Sequence, residues 1–296
     1  MMASDILVLG AAGWHWMRLK AAFDGLGVAA RRLAFPAYGL QLSDGVRIGP
    51  LDRPPSVALV RFIPAGTLQQ ITFRLGVLHG LEAAGTAVVN ATAAIERCVD
   101  KSATSLRLAL AGIPTPATWV TERPEEAARI LAEQTAGEGA VVLKPLFGAQ
   151  GKGLRLLRAG DALPGVEEVG GVWYLQRYVG GETDWRDFRV MVVGGEPVAA
   201  MARHGTGWIT NIHQGGRPEP VPATGELGRL AAAAAEAVGC DHAGVDLIEG
   251  RDGRLLALEV NSMPAWRGLQ SVTEVDIAGL LARHVVAGRI GGRLRR

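Results

Sequence analysis

Along the first ninety positions, short apolar runs alternate with stretches of helical periodicity. Ile6–Leu9 is wholly apolar and closes on Gly10-Ala11-Ala12-Gly13, which predicts a short strand feeding a turn. From Trp14 to Leu26 apolar residues recur at helical spacing until Gly25 and Gly27 end the pattern, which predicts a helix. Further strands are predicted at Val28–Leu33, Val57–Phe62 and Ala87–Asn90. Gln69–Ala84 predicts a helix with Leu75, Leu78 and Leu81 on one stripe. Alternating strand and helix imply a small parallel α/β unit.

After residue 98 the pattern changes. Asp100 is an N-cap for a helix over Lys101–Leu110, which Gly112 and Pro114 stop. The connector IPTPATWV follows, and Pro124 opens a helix with Glu125 and Glu126 in its first turn. Strands are predicted at Ala140–Lys144, Leu154–Leu157, Val172–Gln176, Phe188–Val193 and Pro197–Met201, the last two joined by a hairpin turn at Gly194-Gly195-Glu196. Gly225–Val238 predicts an alanine-rich helix, Gly244–Ile248 and Leu255–Val260 a hairpin around EGRDGR, and Asp276–Ala287 a closing helix. The chain therefore divides into α/β and α+β parts: an N-terminal domain over 1–97, a central subdomain over 98–172 and a C-terminal subdomain over 173–296.

Composition narrows the function classes. The 296 residues carry 31 Lys and Arg against 29 Asp and Glu, a net +2 that gives no general field for nucleic acid or a membrane. The basic tail GRIGGRLRR (288–296) reads as a solvated end. Cys98 and Cys240 stand in unrelated contexts, with no disulfide framework or metal-type CxxC. The N-terminus lacks a basic leader region and Asp5 interrupts its start, so it reads as a first strand. No apolar stretch approaches the ~18 residues of a membrane span. The expectation is a cytoplasmic protein whose partners are small molecules.

Two stretches carry candidate chemistry. In LKPLFGAQGKGLRLL (143–157), Gly148, Gly151 and Gly153 surround Lys152, and Lys144 precedes them. A Walker loop needs GxxxxGK[ST] and a following helix, but here neither Ser nor Thr follows Lys152 and a strand comes next. What remains is a glycine hairpin, either a lid closing over phosphates through backbone N–H groups or an ordinary turn with a solvated lysine. In VDLIE and LEVNSMP, Glu259 and Asn261 are two apart and share a sheet face, and Asp246 on the partner strand can point the same way. These oxygen donors suit Mg²⁺ with phosphate co-ligands, or equally the polar outer face of a hairpin. GAAGWH (10–15) lacks the GxGxxG spacing and the acidic partner of a dinucleotide site.

Taken in order, DKSATSLRLALAGIPTP, VVLKPLFGAQGKGL, YLQRYV, DFRVMVVGGEPVAAMAR, TNIHQGG and GVDLIE…LEVNSMPAWRGLQ resemble the ATP-grasp superfamily, and within it the RimK-type carboxylate–amine ligases. Upstream, VRFIPAGTLQQITFRLGVLHGLE and VVNATAAIERCVDK look most like the branch that adds glutamate to pterin or deazaflavin coenzymes. The resemblance implies an ATP-grasp fold, with an N-terminal parallel α/β domain and two subdomains sandwiching ATP. It implies an ADP-forming ligase working through an acyl phosphate. Its acceptor would be a small-molecule carboxylate and its amine an amino acid, glutamate. A protein or peptide C-terminus as acceptor, and an ATP-binding regulator, are the other readings. A kinase is disfavoured for want of a catalytic-base loop.

The resemblance also assigns residues. Lys101 and Lys144 would meet the nucleotide phosphates, and Gly148, Gly151 and Gly153 would form the lid. Gln176, Arg177, Tyr178 and Val179 would be the hinge strand at the adenine edge, with Asp187 on the ribose side. Asp246, Glu259 and Asn261 would hold Mg²⁺ (or Mn²⁺), as two ions sharing Glu259. Arg189 and Arg203 would clamp carboxylate or acyl-phosphate oxygens, and Asn211 would support the phosphate end. His204 and His213 are bystanders or substrate contacts, and Lys152 is not required. The chain departs from the pattern at Arg177, where an acidic residue is usual, at Ile209, where a basic one is frequent, and by one extra residue before Asp187. Related ligases are often dimers or tetramers, so a homo-oligomer is an expectation too.

Overall fold

The computed structural model describes residues 6–42, 47–148, 151–181, 183 and 185–291. Ala149 and Gln150 of the glycine loop and the end of the basic tail, 292–296, lie outside them. The first sheet uses β1 (Ile6–Leu9), β2 (Ala30–Leu33), β5 (Val57–Val60) and β6 (Ala87–Val89), all parallel in the order β2-β1-β5-β6. Between them, β3 (Gly39–Gln41) and β4 (Arg47–Gly49) form a small separate hairpin. Alternate residues of β1 and β5 pack on α1 (Trp14–Gly25) through Leu19 and Phe23, and on α2 (Leu68–Ala83) through Val77, Leu78 and Leu81. Both faces of these strands are covered, which explains why they read as unbroken apolar runs.

Boundaries differ from the sequence reading for local reasons. Val28 donates its N–H to Phe23 O and so completes the closure of α1, delaying β2 to Ala30. Arg61 and Phe62 both turn their N–H groups on Leu9 O, so β5 ends at Val60 and the chain leaves the sheet there. Thr67 and Gln70 form a capping box that starts α2 one residue early. Helix α3 (Thr92–Val99), unpredicted, runs into α4 (Lys101–Leu110), where Asp100 caps as expected by accepting from Ser102 and Ala103 N–H.

The second sheet is antiparallel: β7 (Thr118–Thr121), β8 (Val141–Lys144), β9 (Arg155–Leu157) and β10 (Trp173–Arg177), ordered β7-β10-β8-β9, with α5 (Pro124–Gln134) packed against it. Part of the expected connector is therefore an edge strand, because Thr118–Thr121 finds Trp173–Gln176 as its partner. Strand β10 lies in the middle of this sheet, so the division expected at 172/173 falls immediately before a strand that pairs with β7 and β8.

The third sheet is β11 (Arg186–Val193), β12 (Glu196–His204), β13 (Arg217–Val221), β14 (His242–Glu249) and β15 (Leu255–Asn261), ordered β13-β12-β11-β14-β15. β13 reads Arg-Pro-Glu-Pro-Val, and prolines fit a sheet only at its edge, where the strand sits. One face packs on α6 (Gly225–Val238) and also takes Ala94 of α3 and Leu108 of α4. The helix bearing Lys101 thus belongs to the third sheet's core rather than to the central subdomain. At the other face, Met191, Val193, Ala199 and Met201 share a core with Ile6, Val8, Phe23 and Val57 of the first sheet. Leu281 and Val285 of the last helix, α8 (Ile277–Gly291), which follows the short α7 (Arg267–Gln270), seal that junction.

Candidate active site

A cleft opens between the second and third sheets. Lys144 ends β8, and Gln176–Val179 form the end of β10 and the chain beyond it. From the opposite sheet come Asp187, Arg203, Asp246 and Glu259, and the glycine loop closes the side with Gly148, Gly151 and Lys152. Lys101 and Asn211 complete the wall. Of the expected site residues, Gly153, Arg189 and Asn261 are set back from it. Gly153 packs on Pro145, where a Cβ would meet Cγ at 2.8 Å. Arg189 bonds to Asp246, and Asn261 Nδ2 donates to Gly244 O at 3.3 Å.

Positive charge gathers at one end. Lys101 Nζ donates to Gly148 O at 2.7 Å, which ties the α4 N-terminus to the loop. Burial, with Lys101 as a like charge, pushes Lys144 down to about 8 against the opposing pull of Glu259 and Asp246. Burial also lowers Lys101, again against Glu259. Two half-desolvated ammonium groups beside one carboxylate make a site that gains from phosphate.

The carboxylates are unequally placed. Asp246 and Glu259 face each other across β14 and β15, with Asn261 one step on, so the three share a face as the two-residue spacing requires. Glu259 has no hydrogen-bond or ion-pair partner among the described residues. Asp246 has two: Arg189 grips both its oxygens, and Arg203 Nη2 reaches Oδ1 at 3.1 Å. Burial raises its pKa, but the two guanidiniums outweigh burial and hold it below the usual carboxylate range. The described residues include no cluster of three His, Cys, Asp or Glu. An ion here would need the Asn261 amide oxygen and phosphate oxygens besides the carboxylates, a donor set that fits Mg²⁺.

The two arginines expected to clamp substrate are thus engaged within the protein. Arg203 forks onto Asp187, Nε to Oδ1 at 2.8 Å and Nη2 to Oδ2, so both oxygens of the residue expected on the ribose side are bonded to an arginine. The stretch expected as the hinge is likewise partly engaged within the protein. Arg177 N donates to Ala117 O and Tyr178 N to Ala140 O, leaving Val179 N–H as the backbone donor without a partner among the described residues. The Arg177 side chain turns to Gln134 Oε1 at 2.6 Å. Gln176 is buried and bonds to Thr118 Oγ1 at 3.0 Å, so it braces the strand.

Gly151 lies at φ +68°, and a Cβ there would meet Gln214 Nε2 at 2.8 Å and Ile209 Cγ2 at 3.2 Å. The loop therefore rests on 209–214, and Ile209 acts as an apolar seat where a basic residue is frequent. His204 pairs with Glu219 at 3.0 Å. The sequence reading missed Trp185 and Trp208, which join Ile248 and Leu258 in lining the cleft. Trp208 stacks edge-on to Tyr178 with centroids 6.4 Å apart. Its signal was a tryptophan among glycines in GTGWITN, next to the Asn211 already singled out.

A cleft between two antiparallel sheets, with lysines at one end and a glycine loop at its side, fits an ATP-grasp fold. Residues 98–285 match the RimK-like ATP-grasp domain, and the chain belongs to that family. It is an ADP-forming carboxylate–amine ligase. The tetrahydromethanopterin:alpha-L-glutamate ligase of Methanococcus maripaludis is 41% identical over 198 residues, covering 64% of this chain and 66% of that protein. The enzyme of the same name from Methanosarcina acetivorans is 32% identical, covering 77% and 78%. Among solved structures, the ATP-grasp ligase PsnB complexed with minimal precursor matches at a TM-score of 0.74 and 23% identity, over 97% of this chain and 99% of that one. No helix among the described residues is long and apolar enough to cross a membrane.

Proposed function

We propose that the chain joins glutamate to a carboxylate of a pterin-like or similar small coenzyme, with ATP converted to ADP and phosphate. The carrying observation is the convergence of Lys101, Lys144 and an unpartnered Glu259 under one glycine loop. In this reading the acceptor carboxylate oxygen attacks the γ-phosphorus and ADP leaves, giving an acyl phosphate. The glutamate nitrogen then attacks the acyl carbon, phosphate departs, and the nitrogen loses a proton. Lys144 and Lys101 hold the phosphates, and Val179 N–H takes the adenine edge between Tyr178 and Trp208. Asp246, Glu259 and Asn261 would hold Mg²⁺ or Mn²⁺, two ions sharing Glu259, supplying neutralisation of charge on the transferring phosphoryl group. The loop, seated on Ile209, keeps water from the acyl phosphate. Arg189 is the guanidinium that substrate can recruit, because Asp246 is its carboxylate partner; Arg203 also holds Asp187 and stays as a brace. Asn211 supports the phosphate end.

The test is mass spectrometry of small-molecule extracts incubated with the protein, ATP, Mg²⁺ and labelled glutamate. The expected product is a small molecule heavier by glutamyl units, with ADP formed in step. AMP and pyrophosphate would overturn the reading, and label in protein-sized material would move the acceptor to a polypeptide tail.

A further inference from the structure

The face of β14 that carries Asp246 continues through Gly244 to His242, two residues per step, and ends at the junction with the first sheet. There it meets Arg61, which follows β5 at the carboxyl end of the parallel strands. In the order β2-β1-β5-β6 the chain leaves β1 toward β2 on one side and later builds β5 and β6 on the other. The carboxyl end of β1 and β5 is thus the switch point of the sheet, the place where open α/β folds hold ligands. Gly10-Ala11-Ala12-Gly13 follows β1 there, with 11–13 exposed and little side-chain bulk. Helix α1 starts there with no side-chain cap and no acidic residue in its first turn.

Arg61 is 9% exposed, and no carboxylate pairs with it among the described residues. Its Nη2 donates to Pro264 O, its guanidinium lies 4.3 Å from the Trp266 ring centroid, and Nη1 is 3.5 Å from His242 Nε2. Three buried polar atoms at this junction lack a hydrogen-bond partner among the described residues: Arg61 Nε, His242 Nδ1 and Trp266 Nε1. His15, beside Trp266, is pushed down to about 4 by burial and by Arg61 and Arg267. A buried cation facing donors and a neutral histidine is a costly arrangement unless an anion joins it. Phe62, 48% exposed, supplies an apolar rim at the same strand end.

We propose that this junction is a carboxylate subsite for the organic substrate, with Arg61 as its cation and the free N–H groups of the α1 N-terminus as further donors. The proposal rests on the ligase reading and assigns part of the substrate to the N-terminal domain. The subsite lies along the sheet face from the phosphate end: Pro264, which Arg61 holds, packs where a Gly244 Cβ would stand at 2.7 Å, and Arg189 Nη1 would be 3.0 Å from that Cβ.

The experiment is calorimetric titration of the full chain with 4-aminobenzoyl-glutamate and with L-glutamate, with Mg-ADP as control, in wild type, Arg61→Met and Arg61→Lys. At least one carboxylate probe should bind the wild type. Arg61→Met should weaken it by about thirtyfold or more, the usual consequence of removing one member of a desolvated charge pair. Mg-ADP affinity should stay within about twofold, since Arg61 is not in the nucleotide cleft. The melting temperature of Arg61→Met should hold or rise, because an unpaired buried charge is being replaced by an apolar chain of similar size. Arg61→Lys should be intermediate in binding. Unchanged carboxylate binding in Arg61→Met, no binding of either probe by the wild type at about 10 mM, a weak affinity by any standard, or a fall in melting temperature in both variants would overturn the subsite while leaving the ligase reading in place. Failure of the wild type to bind Mg-ADP would take both down.

Discussion

Arg203 and Arg61 are both buried at one broad face of the third sheet, and their surroundings are opposite. Arg203 is 4% exposed and holds two carboxylates, Asp187 with a fork and Asp246 at 3.1 Å. Burial works against its charge, yet Asp246 and Asp187 outweigh burial and keep it above the ordinary arginine range. Arg61 has a carbonyl, a ring and a histidine instead, and burial pulls it down to about 9. The same residue type is a finished piece of structure in one place and an unfinished contact in the other. A buried charge with its counter-ion marks a braced site, and one with no carboxylate among the described residues marks a place where an anion would be stabilised.

The paired face breaks hardest at its free member. Glu259→Ala removes the one cleft carboxylate that no arginine holds among the described residues. ATP turnover should fall by on the order of 10²–10³, the usual loss when a group stabilising transition-state charge is deleted. Product analysis for ADP checks it, and turnover within about threefold of wild type would remove Glu259 from the chemistry.

Next in size is the brace. Asp187→Leu takes the forked carboxylate from Arg203 but leaves Asp246 at 3.1 Å, so the loss should stay below the about 3–5 kcal/mol of a fully uncompensated buried charge. Denaturant titration should show most of that loss, and Asp187→Leu with Arg203→Met should recover much of it, since both charges then go. Arg61→Met, already argued to hold or raise the melting temperature, is the opposing control. If the two single variants destabilised alike, the contrast between the arginines would have no energetic content.

The third test is of pH. Lys144 sits at about 8 in the free protein, and a bound phosphate favours its charged form. Below pH 8 the lysine is already charged and ADP binds at full strength. Above pH 8 binding must take up a proton, so affinity should fall by up to about tenfold per pH unit until the bound-state pKa is passed. Lys144→Met should bind more weakly and lose that slope. A slope identical to wild type would assign it to another group.

Much of this was legible in the sequence because it rests on short-range pattern. The apolar runs of β1 and β5, the Asp100 cap and the two-residue spacing of Glu259 and Asn261 all survive in the structure. What was hidden depends on partners far along the chain. Thr118–Thr121 is a strand because β10, more than fifty residues on, lies beside it. The engagement of Arg189 and Arg203 with Asp246 and Asp187 is a fact of register between β11, β12 and β14, which no local spacing reveals. Arg61 stood at the end of an apolar run, and nothing nearby in sequence showed that its neighbours would be His242 and Trp266.

The smallest effect concerns the glycine loop, where two readings of one stretch can be ranked. Lys152 is exposed and has no hydrogen-bond or ion-pair partner among the described residues, so Lys152→Ala should leave kcat/KM for ATP within about twofold. Gly151→Ala should cost more, about five- to tenfold, because a non-glycine residue at positive φ is strained by about 1–2 kcal/mol and the new methyl presses on Gln214 and Ile209. Steady-state kinetics on the two variants decides the order. If Lys152→Ala were the worse of the two, the loop would act by its charge rather than by the backbone shape that lets it seat on Ile209.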